Sequence, residues 1–126
     1  MGFQIICGRS NPDLSQKIVD KLHSPVVKTT INTFANGEIN VEFHDSVRGN
    51  DIYIIQTGAS FAGNSINDYI IELLLLIDGC HRSSAQSITV IIPCYPYARS
   101  DKRDHRGSIA SKVMMNCLSG VSVTRL

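Results

Sequence analysis

Between Arg99 and Arg106 the chain sets seven charged or titratable side chains in eight positions, "RSDKRDHR", directly after the apolar stretch "IIPCYPYA". Arg99, Lys102, Arg103 and Arg106 suit phosphate oxygens, because a guanidinium offers a rigid fork of donors and an ammonium a compact point charge. Asp101 and Asp104 suit Mg²⁺, or the orientation of their basic neighbours, and His105 adds a further donor for phosphate. The same composition also describes a solvated mixed-charge loop, in which exposed ion pairs contribute little. On composition alone both readings stand.

Other stretches carry weaker signals. In "FANGE" (Phe34 to Glu38), Asn36-Gly37 reads as a hairpin turn. Phe34 beside it fits either the core or a platform on which a base stacks, and Glu38 fits a surface strand position. Arg48 stands next to a turn glycine, where salt bridging is its commoner role. Tyr95, two residues past Pro93, and Tyr97, directly after Pro96, cover the end of the preceding strand. No G-x-x-x-x-G-K-[ST] segment declares a P-loop, and no Ser/His/Asp order declares a hydrolase. Cys7, Cys80, Cys94 and Cys117 are widely spaced without a C-x-x-C pair, which argues against zinc and for buried reduced thiols.

The elements that must position these residues alternate in type. Phe3 to Cys7 is a short apolar strand. Asn11-Pro12 reads as a helix cap with proline at the first helical position, followed by Leu14, Ile18, Val19 and Leu22 at helical spacing. Val26 to Ile31 is a β-branched strand, and Ile39, Val41 and Phe43 alternate as its hairpin partner. "IYIIQ" (Ile52 to Gln56) is another strand. Asn64 or Ser65 caps a helix whose apolar face holds Ile66, Tyr69, Ile70, Leu73, Leu74 and Ile77. Ser87 to Ile92 is the next strand, and Ser108 opens a last helix with Ile109, Val113, Met114 and Cys117. Strands separated by helices predict an α/β fold with a parallel sheet, plus a hairpin near residues 26–43. Ligands in such sheets gather at the carboxyl ends of strands, where the charged loop falls.

At 126 residues, 43% hydrophobic and 18% charged, the chain predicts one globular domain. The longest apolar run, Leu73 to Ile77, is too short to span a bilayer, and the first residues lack the pattern of a signal peptide. These features predict a cytoplasmic protein with no membrane partner. A net charge of +1 leaves any polyanion attraction to local clustering. Asp101 and Asp104 would repel a nucleic-acid backbone, so no nucleic-acid partner is expected.

Five segments together resemble one family. "DLSQKIVDKL" (Asp13 to Leu22), "FANGEINVEF" (Phe34 to Phe43), "SVRGNDIYIIQ" (Ser46 to Gln56), "INDYIIELLLLIDGC" (Ile66 to Cys80) and "IIPCYPYARSDKRD" (Ile91 to Asp104) follow the order and spacing of ribose-phosphate pyrophosphokinases, the phosphoribosyl pyrophosphate synthetases. The resemblance covers residues 3–119 and implies a phosphoribosyltransferase-like sheet flanked by helices. It implies transfer of diphosphate from Mg·ATP to ribose 5-phosphate, with Mg²⁺ as cofactor. It also implies assembly as a homo-oligomer, or as a hetero-oligomer with full-length synthetase subunits.

Carried over by position, the resemblance implies that Phe34, Asn36 and Glu38 contact adenine from a neighbouring subunit. Arg99, Ser100, Lys102 and Asp104 fall in the ATP-binding stretch. Ser46, Arg48, Ser84, Arg103 and His105 correspond to a regulatory site for phosphate or ADP, and no residue is carried over as a metal ligand. The chain departs from the family at several points. Ser100 stands where the family reads Gln, "DHRGS" is one residue short, and "GVSVTRL" after Ser119 is expected to fall outside the match. The resemblance assigns residues 1–126 to an N-terminal domain incomplete at its C-terminal end, with the family's Asp-Leu-His segment and second domain outside it. The chain alone is therefore expected to be inactive, and a non-catalytic associated or regulatory subunit is the alternative.

Overall fold

The computed structural model describes residues 2–102, 106–121, 123–124 and 126. Its centre is a parallel sheet of three strands, β1 (Phe3–Cys7), β4 (Asp51–Ile55) and β5 (Ser87–Ile91), with β4 in the middle. Phe3 pairs with Asp51 and Cys7 with Ile55, while Asp51 pairs with Ser87 and Ile55 with Ile91. Strand side chains alternate between faces. Ile6, Ile52, Ile54, Ile88 and Val90 join the main core with Leu73, Leu76, Ile77 and Cys80 of helix α2 (Ile66–Arg82) and Met114 and Leu118 of helix α3 (Ala110–Gly120). Phe3, Ile5, Tyr53, Ile55 and Ile91 point the other way, toward Ile18 and Leu22 of helix α1 (Pro12–Leu22). There they line an open apolar groove of about 280 Å³.

The winding of the chain accounts for these two layers. After α1 the chain returns beside β1, where Ile5 donates to the Pro25 carbonyl at 3.0 Å and Val27 donates to the Ile5 carbonyl at 2.9 Å. After α2 it returns on the opposite side, as β5 beside β4. Right-handed crossovers run in opposite directions place their helices on opposite faces, so the winding reverses between β1 and β4. This reversal sets where loops leaving the two strands diverge.

Between α1 and β4 the chain forms an antiparallel hairpin, β2 (Thr29–Thr33) and β3 (Ile39–Phe43). The expected strand from Val26 to Ile31 is divided: Val26 makes one bridge to Ile5 and Val27 is buried, while β2 begins at Thr29. Ile31, Val41 and Phe43 pack on the main core, and Gly79 admits the Phe43 ring onto α2, since a Cβ there would lie 3.0 Å from its Cε2. The hairpin closes through Phe34 N–H to the Glu38 carbonyl at 2.7 Å and Gly37 N–H to the Phe34 carbonyl at 2.9 Å. Gly37 takes φ +93°. This is a three-residue connection with glycine in the left-handed position, rather than a two-residue Asn-Gly turn.

Both expected caps form. Asn11 Oδ1 accepts from Leu14 N–H at 3.1 Å, and Ser65 and Asp68 make a reciprocal capping box at the start of α2. The last helix begins at Ala110 rather than Ser108, and Ile109, which has no side-chain acceptor, occupies its cap. All four cysteines are free; Cys80 is buried and Cys7 half-buried, but Cys94 and Cys117 are exposed, against the expectation of buried thiols.

Candidate functional site

The reversal between β1 and β4 marks the crevice where open α/β sheets commonly take ligands. Here that crevice is filled by the protein's own side chains. Gln56, the first residue past β4, accepts from Ser10 N–H at 3.1 Å and Ser10 O–H at 2.5 Å, and donates to the Tyr69 carbonyl at 3.2 Å and to Glu72 at 2.8 Å. Thr57 N–H donates to Ser10 Oγ at 2.8 Å. Glu72, fully buried on α2, accepts from Arg9 N–H at 2.8 Å and Arg9 Nε at 2.7 Å. Gly8 makes room for Gln56, for a Cβ there would sit 2.2 Å from Gln56 Oε1. The cavity beside Gln56 and Thr57 measures about 10 Å³, the space of a single water. A buried carboxylate is tolerated only when cations and donors surround it, and Glu72 has both.

The exposed polar groups of this end lie at the rim. Past β5 the loop "PCYPYARS" is drawn against the loop that leaves β4: Gly58 N–H donates to the Cys94 carbonyl at 2.8 Å. A Cβ on Gly58 would fall 2.7 Å from the Cys94 carbonyl oxygen and from Pro96. Ser100 N–H donates to the Tyr97 carbonyl at 3.0 Å, and Ser111 N–H, in the first turn of α3, donates to the Ser100 carbonyl at 3.1 Å. Tyr95 O–H reaches the Ser111 carbonyl at 3.3 Å, and burial pushes its hydroxyl pKa up, keeping it a neutral donor. The charged excursion thus leaves and re-enters through a pinned stem. Arg99, Asp101, Lys102 and Arg106 are exposed and Ser100 is half-buried. Arg103, Asp104 and His105 lie outside the described residues.

The hairpin tip reaches the same end of the molecule. Phe34, Asn36 and Glu38 are exposed; the Asn36 amide donates to the Glu38 carboxylate, and Glu38 N–H donates back to Asn36 Oδ1 at 3.1 Å. Asn36, Gly37 and Glu38 face Asp68, Ile71 and Leu75 of α2 across an open cleft of about 490 Å³. On the other side of that helix, Asn67 and Ile71 line a cleft of about 380 Å³ with Tyr97. The amino-terminal half of α2 therefore stands between the hairpin tip and the turn that carries Arg99.

Ser46, Arg48 and Ser84 gather at the opposite, amino end of the sheet. Gly49 N–H donates to the Ser84 carbonyl at 2.9 Å, and Arg48 N–H donates to Ser46 Oγ at 3.3 Å. Ser84 takes φ +63° and Gly49 φ +72°, which marks two sharp turns here. The three are exposed. Among the described residues the ion pairs are Arg9–Glu72 and Arg82–Asp78; Arg48 is in neither, against the expectation of a salt bridge. No group of three or more potential metal-ligating side chains occurs among the described residues, and no helix among them is long and apolar enough to cross a membrane.

With this geometry, residues 3–121 match the family model for the N-terminal domain of ribose phosphate pyrophosphokinase. The chain belongs to the ribose phosphate pyrophosphokinase family. Its structure superposes on phosphoribosylpyrophosphate synthetase from Mycobacterium smegmatis with TM-score 0.92 and 35% identity, over 98% of this chain and 40% of that one. The hypoxanthine-guanine phosphoribosyltransferase of L. donovani (TM-score 0.47) and the hypoxanthine phosphoribosyltransferase of Staphylococcus aureus (0.43) are far less similar, each at 12% identity over 72% of this chain. The parallel sheet flanked by helices is thus the fold of the synthetase's N-terminal part. The family match runs past Ser119 to residue 121, further than the sequence comparison reached.

Sequence reasoning missed Arg9, Ser10, Gln56 and Glu72. Glu72 did leave a trace: it recurs at four-residue spacing with Leu76 and Cys80 on the buried stripe of α2, a carboxylate in an apolar row.

Proposed function

We propose that this chain is a ribose-phosphate diphosphokinase subunit that supplies the ATP-binding half of the site. Diphosphate passes from Mg·ATP to ribose 5-phosphate, giving phosphoribosyl pyrophosphate for nucleotide biosynthesis in the cytoplasm. The family match over residues 3–121 carries this reading. Diphosphoryl transfer needs charge neutralisation and in-line positioning more than a covalent nucleophile. Arg99, Ser100, Lys102 and Asp104 are assigned to the triphosphate and adenine, and Phe34, Asn36 and Glu38 to the adenine of a neighbouring subunit's ATP. The separation of hairpin tip and Arg99 turn by α2 supports a site shared between subunits. Mg²⁺ enters as Mg·ATP, held mainly by phosphate oxygens, as suits a cation that sheds its waters reluctantly. Ser46, Arg48 and Ser84 are assigned to a separate site for phosphate or ADP, and Arg103 and His105, which follow the Arg99 turn in sequence, are assigned to that site of a neighbouring subunit.

Because the chain spans 40% of the synthetase it matches, the ribose 5-phosphate loop is assigned to a second domain. The 126 residues assayed alone are expected to be inactive. Ser100, short where the family carries a Gln, favours a second reading in which the chain is a non-catalytic subunit that docks on full-length synthetase. A radiolabelled transfer assay decides between them. The first reading expects ribose 5-phosphate-dependent AMP formation that rises when the chain is mixed with a full-length subunit inactivated in its own ATP loop. The second expects co-elution in gel filtration without that gain, and neither co-elution nor turnover would sink both.

A further inference from the structure

Tyr97 adopts φ +61°, a left-handed conformation that a bulky aromatic residue avoids unless its surroundings over-determine it. Two contacts do so. Its carbonyl accepts the Ser100 N–H at 3.0 Å, closing the turn Tyr97–Ser100. Its hydroxyl donates to the side-chain carbonyl of Asn67, in the first turn of α2. The ring itself is not held by burial, for Tyr97 is 43% exposed and borders two open clefts, one with Ser60, Ser65 and Ile66 and one with Ile70, Val113 and Met114. A side chain that fills no core, sits in a strained backbone and ends in a single polar tether is placed for what it orients. Arg99 and Ser100 are the residues that leave the turn.

We propose that Tyr97 is a positioning residue: its hydroxyl, anchored on Asn67, fixes the turn that presents Arg99 and Ser100 at the carboxyl end of β5. This deepens the reading of that turn as a polyanion site and rests on it for its functional consequence. α2 is the appropriate anchor, because its buried face is locked to the sheet and its first turn is capped by Ser65 and Asp68. The hydroxyl therefore refers the turn to a capped helix packed on the sheet.

The test is a double-mutant cycle on the full chain with Tyr97→Phe, Asn67→Ala and the pair. It has two readouts, amide hydrogen exchange at Ser100 and affinity for Mg·tripolyphosphate. Each single variant is expected to speed Ser100 exchange and to weaken binding by about three- to tenfold, the worth of one hydrogen bond. The thermal midpoint should fall by only a few degrees, as the loss of one hydrogen bond requires, and the double variant should lose no more than either single one. Unchanged Ser100 exchange in Tyr97→Phe, or losses that simply multiply, would overturn the proposal. Faster exchange in a chain that never binds tripolyphosphate would uphold the tether and overturn the polyanion reading alone.

Discussion

The two ends of the parallel sheet are built on opposite plans. At the carboxyl end, Arg9, Ser10, Gln56, Thr57 and Glu72 form a closed polar network inside the crevice between β1 and β4, and the exposed cations stand on a pinned stem outside it. At the amino end, Ser46, Arg48 and Ser84 are exposed on tight turns held by backbone hydrogen bonds. The difference separates rigidity from recognition. The carboxyl end hides its strongest electrostatics and uses them to fix loops, whereas the amino end presents polar groups with little behind them.

The largest expected effect breaks the hidden network. Arg9→Ala leaves the Glu72 carboxylate buried without its cation, and urea denaturation should show a loss of about 2–3 kcal/mol, somewhat below the range for a fully buried pair because the guanidinium is partly wet. Arg48→Ala at the amino end should change stability by less than about 0.5 kcal/mol. Similar losses for both would erase the distinction between the two ends.

Gly58→Ala comes next. Its methyl would meet backbone atoms of Cys94 and Pro96 rather than a movable side chain tip, and such overpacking costs about 1–3 kcal/mol. The same variant should displace the Arg99 stem, read as chemical-shift changes in the Tyr97–Ser100 turn. At the start of α2, Ser65→Ala should cost about 1 kcal/mol, the worth of one cap.

Alkaline pH acts gradually and leaves neutral stability untouched. Burial pushes the Cys80 thiol from 9.0 up to about 12. A pKa raised by folding means that the stability it contributes is complete below pH 9 and is lost as pH rises toward 12. Melting temperature should therefore fall across that window and should fall less in Cys80→Ala relative to its own neutral value. Alkylation at neutral pH should modify the exposed Cys94 and Cys117 first, then Cys7, whose thiol burial also raises despite a hydrogen bond from Ser15, and Cys80 last.

Much of the fold was legible because local chemistry agrees with global structure. Asn11-Pro12, the Ser65 cap and the alternation of Ile39, Val41 and Phe43 each declare an element without reference to distant residues. What escaped depends on pairs far apart in the chain. Glu72 stands in an apolar row of α2, but its partner Arg9 is 63 residues away and only the fold brings them together, and nothing near Gln56 announces Ser10. The short pairing at Val26 was merged with β2 because β-branched residues run through both. Tyr97 looked like a cover for a strand end, since no local feature of "PYARS" reveals a left-handed aromatic tied to α2. The candidate site was legible as charge, but its division between two ends of one sheet needed the topology.

The most direct test of the central claim is calorimetric titration of Mg·ATP and of inorganic phosphate into the chain, Arg99→Ala and Arg48→Ala. Arg99→Ala is expected to lose ATP binding while keeping phosphate binding, and Arg48→Ala to do the reverse. ATP binding that survives intact in Arg99→Ala, or that falls equally in both variants, would contradict the assignment of separate ligands to the two ends.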